Sequence, residues 1–136
     1  MKDISFKDVA IGDREVWTRT ITEADVVLYA GLIGDRGPLH LDELYAKKTR
    51  FGGRVSYGML TGGYIGATLA HLLGIRSAYV SQNMRFKAPV LIGHTITIET
   101  VVTAKEETKS RVFVRTTCTR DDGVVAVEGE AELFFF

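Results

Sequence analysis

Two residues able to exchange protons, Asp35 and His40, stand five positions apart in the run GDRGPLHLDE, residues 34–43, with Gly37 and Pro38 between them. Carboxylic acids and imidazoles have reference pKa values of ~3.9 and ~6.5, so one is an anion where the other is a neutral base. Gathered around one water molecule, such a pair can move its protons by general acid–base catalysis. On a continuous α-helix, positions five apart point roughly 140° away from each other. The chemistry therefore requires a bend. Gly37 tolerates unusual dihedral angles and Pro38 fixes its own φ, so the segment can supply one. A structural reading competes: Asp35 closes a turn and His40 begins a short helix. Spacing alone favours that second reading.

The elements that would position this loop can be read on either side. REVWTRT (14–20) alternates as a strand does. Thr22 before Glu23, Ala24 and Asp25 is an N-cap with an acidic first turn and a weak capping box. The helix it opens runs through EADVVLYAGLI and stops near Gly34. A short helix is expected around DELYAKK, with Leu41, Leu44, Tyr45 and Lys48 spaced for one face.

Gly58 to Leu73 reads as the main helix, with Gly74 as its C-terminal stop. Gly62, Gly66 and Ala70 recur every fourth residue, a stripe without bulk that lets the helix backbone lie close to a facing surface, expected to be a sheet. The remainder is strand: 78–87, 95–103, 111–119 and 124–135 show period-two features. They are separated by Pro89 with Gly93, the polar AKEETKS, and the hairpin signal Asp122-Gly123. Four successive strands with short connections predict an antiparallel meander. The class is α+β, a single domain over 1–136, with a curved antiparallel sheet wrapped around a long central helix.

Composition narrows the function. The chain has 136 residues, 46% hydrophobic and 25% charged, as expected of one globular domain. Lys plus Arg and Asp plus Glu both number 17; no basic excess serves phosphate neutralisation, which argues against nucleic-acid binding. Cys118 is the single cysteine, with no zinc-ligand spacing around it. Val55 to Ile75 lacks Asp, Glu, Lys and Arg and approaches the ~20 residues of a membrane span. Five glycines and several polar residues dilute it, so a buried helix is the better reading. The first residues, MKDISFKDVAIGDR, contain no apolar h-region, and a cytoplasmic location is the expectation.

YAGLIGDRGPLHLDELYA resembles the hydratase motif of the MaoC-like, (R)-specific enoyl-CoA hydratase family, G-D-x-N-P-hydrophobe-H-x-D. VSYGMLTGGYIGATLAHLLG is similar to that family's central helix after its V-x-H-G-M entry. YVSQNMRFKAPVLIGHTITIETVV is similar to its next two strands, with the F-K-x-P-V-hydrophobe-x-G turn. The resemblance covers nearly the whole chain and implies the hot dog fold, a homodimer or higher homo-oligomer, and an acyl-CoA substrate with no metal or other cofactor. It implies that Asp35 and His40 are the catalytic pair. It also implies that the backbone N–H of Gly58, at the central helix start, holds the thioester oxygen, and it places Tyr57 and Gly66 beside the substrate.

Three departures from the pattern stand out. Gly37 replaces the motif's asparagine, Tyr57 replaces the histidine before Gly58, and Gly66 stands where some members carry a serine. Substrate range and rate are the properties they touch. Beside the hydratase stand two other readings. One is a hot dog thioesterase, disfavoured because no acid lies between Val55 and Ile75. The other is a non-catalytic acyl-CoA binding or sensing domain.

Further candidates are Asp35, His40 and Asp42 as metal ligands, and Lys47, Lys48, Arg50, Arg54, Arg76 and Lys87 as contacts for coenzyme A phosphates. Arg36 could meet a carboxylated acyl group. Structural roles are expected for His71 and His94, and a solvated face accounts equally well for the cations.

Overall fold

The computed structural model describes residues 1–136. Ile65, Leu69, Leu72 and Leu73 share one side of helix α4, Gly58–Leu73, and all four are buried. Burying each such side chain contributes roughly 1.5–3 kcal/mol, so this face fixes the helix in place. Thr68 lies on the same face and donates its hydroxyl to the Tyr64 carbonyl at 2.8 Å, which leaves no unmet polar group there. Gly74 ends the helix at φ 77°, and a Cβ at this position would lie 2.3 Å from the Lys2 carbonyl oxygen. Only glycine fits.

Five antiparallel strands wrap the helix: β1 Arg14–Thr20, β2 Ser77–Phe86, β3 Thr95–Glu106, β4 Arg111–Arg120 and β5 Val125–Phe135. Alternation along β3 and β4 turns Ile96, Ile98, Val102, Val112, Val114 and Cys118 into the core. This is the α+β, hot dog architecture expected of the sequence. The stripe of small residues faces β2 as anticipated: a Cβ on Gly62 would meet Met84 Cε at 3.0 Å, and one on Gly66 would meet the Tyr79 hydroxyl at 3.5 Å.

The expected four-strand meander is not formed. The sheet order is β1-β3-β4-β5-β2, so β2 pairs with β5 and only β3, β4 and β5 follow one another. The cause lies in residues 87–94, which make no hairpin. The N–H groups of Lys87 and Ala88 both donate to Ala126 O, prolonging the pairing with β5. Val90 O then accepts from Ser56 N, and Leu91 bridges to Val55. The chain is thereby drawn across to the far edge, where β3 pairs with β1. β3 also runs on to Glu106, past its expected end, through an irregularity between Val102 and Ala104.

Three α-helices and a 3-10 turn at Phe6–Asp8 precede α4. The capping box at the start of α1, Glu23–Ile33, is formed: Thr22 Oγ1 accepts from Asp25 N, and Asp25 accepts from Thr22 N. The short helix expected around DELYAKK is α3, Glu43–Lys47, and a further turn, α2 Pro38–Leu41, precedes it. Asp42 adopts an extended conformation between them and caps α3 by accepting from Tyr45 N at 3.0 Å. That break resets the periodicity. The buried residue of α3 is Ala46, while Leu44 and Tyr45 are exposed, so the expected Leu41–Leu44–Tyr45–Lys48 face is not the packed one. Cover on α4 is also partial, because Met59, Gly63, Ala67 and His71 face outwards. No helix is long and apolar enough to cross a membrane.

Candidate active site

Asp35 lies in the loop after α1, and His40 lies in α2, beyond the bend at Gly37 and Pro38. Gly37 N–H donates to Asp35 Oδ1 at 2.9 Å, closing a turn. A Cβ on Gly37 would lie 3.2 Å from Asp35 Oδ1 and 3.5 Å from His40 Cδ2, so carboxylate and imidazole flank the same small volume. The bend therefore does bring the pair together. The structural reading holds as well, since Asp35 closes the turn with one oxygen; Oδ2 has no partner within the chain. A Cβ on Gly37 would be tight only against Asp35 Oδ1 and in ordinary contact with His40 Cδ2.

His40 Nδ1 lies 2.6 Å from the Val55 carbonyl oxygen. A carbonyl can only accept, so Nδ1 carries a proton, and in the neutral ring the lone pair is then on Nε2. Nε2 has no hydrogen-bond partner within the chain, and its neighbour Cδ2 borders the Gly37 volume that Asp35 also borders. The His40 backbone is held too: Arg54 Nε donates to its carbonyl at 2.7 Å, and Arg54 Nη1 lies 2.7 Å from both oxygens of Glu23.

Tyr57 is four per cent exposed. Its hydroxyl donates to the Asp35 carbonyl at 2.5 Å, and its ring stacks on His40 with centroids 3.9 Å apart. Burial first, and then the Asp35 carboxylate nearby, raise its phenol pKa, so it stays a neutral donor. Tyr57 thus touches both members of the pair from behind. The sequence offered no signal for this, because Tyr57 stood out only as a departure.

Tyr57 is also the residue before α4, and no side chain caps that helix. The Gly58 and Met59 N–H groups donate to nothing in the chain. Free donors and the positive end of the helix dipole meet there, where an oxyanion could be stabilised. The Phe86 ring crowds the glycine, 2.8 Å from where a Cβ would stand. Gly66 lies two turns further along, beneath Tyr79, and is not part of the Asp35–His40–Tyr57 cluster.

The remaining candidates disperse. Asp42 is occupied in capping α3, and no three His, Cys, Asp or Glu side chains converge as metal ligands would. Lys47, Arg76 and Lys87 pair with Glu43, Asp3 and Glu128. Arg50 lies over the Phe51 ring, and Lys48 is exposed. Arg36 makes no ion pair and lines a shallow groove with Val27, Ala30 and Leu41. His94 Nδ1 accepts from Leu91 N, a structural placement, and His71 is exposed in the last turn of α4. A cleft of about 400 Å³ between α1 and α4, lined by Trp17, Tyr29, Leu60 and Tyr64, contains neither Asp35, His40 nor Gly58.

Comparison with known proteins gives the family. The family model described as "MaoC like domain" matches residues 11–124. A protein named (R)-specific enoyl-CoA hydratase from Rhodospirillum rubrum is 44% identical over 127 residues, 93% of this chain and 88% of its own. One named 3-hydroxybutyryl-CoA dehydratase from Methylorubrum extorquens is 36% identical over 96% of this chain and 83% of its own. Among solved structures, the (R)-hydratase from A. caviae involved in PHA biosynthesis superposes with a TM-score of 0.92 at 32% identity, covering 96% of this chain and 99% of that one.

Proposed function

Since the chain belongs to the MaoC-like domain family, we propose that this enzyme reversibly hydrates trans-2-enoyl-CoA to (R)-3-hydroxyacyl-CoA. The observation that carries the reading is that the Asp35 carboxylate and the His40 imidazole, its Nδ1 held at the Val55 carbonyl, flank the same small volume at Gly37.

In the hydration direction, one water sits between Asp35 Oδ2 and His40 Nε2. Its oxygen bonds to C3 as one of its protons passes to Nε2. The C2=C3 π electrons shift towards the thioester, whose oxygen takes up negative charge at the Gly58 N–H. The new imidazolium then returns its proton from Nε2 to C2, and the carbonyl re-forms. Asp35 orients the water and stabilises the imidazolium without changing protonation state. Water addition is redox-neutral, so the reaction calls for no electron carrier, and the imidazole supplies the proton transfers without a metal. Losing one oxyanion donor typically costs roughly 3–4 kcal/mol of barrier lowering. General acid–base catalysis contributes about 10²–10⁴-fold. The (R) configuration is supported by the names of the relatives.

A thioesterase would need a carboxylate aimed at the thioester carbonyl. The first turn of α4 carries no acid. Assembly into a homodimer is part of the proposal: β2 is the last strand of the sheet, with one edge unpaired, and Tyr79, Val80, Phe86 and Met59 are exposed around it. A second copy would cover them.

Incubation of the purified protein with crotonyl-CoA tests the reading. Loss of the enoyl absorbance with formation of (R)-3-hydroxybutyryl-CoA is expected. Release of free coenzyme A would establish the thioesterase instead, and binding without turnover would establish a sensing domain. An (S) product would overturn the stereochemistry alone.

A further inference from the structure

Arg54 and Val55 are neighbours in sequence and grip opposite ends of His40. The Val55 carbonyl takes the ring Nδ1–H, and the Arg54 guanidinium takes the backbone carbonyl. A third link, Val55 N–H to Leu39 O at 3.2 Å, ties the same two segments. The His40 carbonyl belongs to the last turn of a four-residue helix, where Asp42 breaks the continuation that would have satisfied it. A helix this short has little stability of its own, because the nucleating turn is unfavourable without continuation. Its place must be set from outside.

The Arg54 side chain is only 9% exposed and is itself fixed by both oxygens of Glu23, in the first turn of α1. One guanidinium therefore joins α1, α2 and the segment entering α4. We infer that Arg54, anchored by Glu23, is a positioning residue that holds His40 in register with the Val55 carbonyl, and thereby keeps its proton on Nδ1. The inference rests on the proposed role of His40 as the base. Without Arg54 the backbone of α2 can shift relative to Val55, the Nδ1–H bond lengthens, and the ring can protonate on Nε2 instead. That tautomer has no lone pair for the water. Displacements of about 1 Å at a reacting group can cost ~10²-fold in rate.

Three variants, Arg54→Ala, Arg54→Lys and Glu23→Gln, decide it through two readouts: steady-state kinetics with crotonyl-CoA, and the ¹⁵N shifts of the His40 ring. The wild type should show Nδ1–H with unprotonated Nε2. Arg54→Ala should lower kcat ~10- to 100-fold with KM changed less than about threefold, and its ring signals should move towards a tautomer mixture. Arg54→Lys keeps the charge but cannot fork between His40 and Glu23, and should fall between. Glu23→Gln is an exposed change that leaves the fold intact, and should move the ring signals in the same direction, less far. Wild-type ring signals in Arg54→Lys and Glu23→Gln overturn the inference, even if Arg54→Ala does not fold. So does an unchanged kcat in folded Arg54→Ala. The ring signals need no turnover, so a protein inactive on crotonyl-CoA that still shows the tautomer shift would refute the hydratase reading and leave the positioning role standing.

Discussion

The ring of Tyr57 lies flat against the imidazole of His40, 25° from parallel, while its hydroxyl reaches back to the carbonyl of Asp35. One side chain thus sets the spacing of two residues that the chain separates by a bend. Tyr29 packs behind it at 5.1 Å and closes the stack.

Tyr57→Phe keeps the stack and removes the hydroxyl. A buried hydrogen bond contributes about 0.5–1.5 kcal/mol, so a melting temperature lowered by a few degrees is expected. A several-fold fall in kcat should accompany it as the Asp35 loop loosens. Full activity in a destabilised Tyr57→Phe protein would show that the hydroxyl serves the fold alone.

Asp35→Asn retains an oxygen for Gly37 N–H, so the turn survives while the charge is lost. His40→Gln keeps polarity and approximate bulk. Each should lower kcat at least ~10²-fold with near-normal melting, and the double variant should be little worse than the poorer single one. A normal kcat in either single variant means that the loop closes a turn and does no chemistry.

Gly58→Ala gains up to about 1 kcal/mol of helix propensity, but its methyl must displace the half-exposed Phe86 ring. Activity should fall far more than stability. Gly66→Ala fits beneath the Tyr79 hydroxyl without movement. Gly66→Leu does not, and overpacking there should destabilise by ~1–3 kcal/mol or shorten the accepted acyl chain. Wild-type melting together with a wild-type chain-length profile would show that the stripe is loosely packed.

Acid should unfold the protein through its paired carboxylates. Burial raises the pKa of Asp25, but the Arg19 hydrogen bond and the Thr22 donors outweigh it and leave the value lowered. The Arg120 hydrogen bond takes Asp122 down to about 2. Groups depressed in the folded state stabilise it above their unfolded value near 3.8, and that stability is lost as pH falls through the folded values. Melting temperature should therefore decline below about pH 4 and keep declining towards pH 2. Asp25→Asn should flatten part of that decline. An equal slope in the variant would remove Asp25 from the account.

Sedimentation should show a dimer at micromolar concentration. Val80→Lys places a charge on the exposed edge strand, a common means of blocking edge pairing, and should give monomer. A wild-type monomer would leave α4 half-covered in its working state.

Helix α4 was legible to the residue, from Gly58 at its start to Gly74 past its end, because glycines mark both limits within one uncharged run. Strand periods were equally plain. Strand order was not, since no residue of β2 is buried and its side chains say nothing about the neighbour; the decisive bonds, Lys87 and Ala88 to Ala126, are backbone only. The site divides likewise. Asp35, His40 and Gly58 show themselves by type and motif. The Val55 carbonyl that selects the His40 tautomer belongs to the main chain and carries no side-chain signature. Tyr57 looked like a lost histidine; its bracing role appears only once the loop is folded over it.

The strand order also dictates a timetable for synthesis. β2 is made second but finds its only neighbour in β5, the last strand to be made. About 40 residues separate the end of β2 from the start of β5, some two to eight seconds at roughly 5–20 residues per second. Throughout that interval β2 has two open edges, and the glycine stripe of α4 faces a strand not yet anchored. Pairing of β2 is therefore a late event in folding, waiting on residues 125–135.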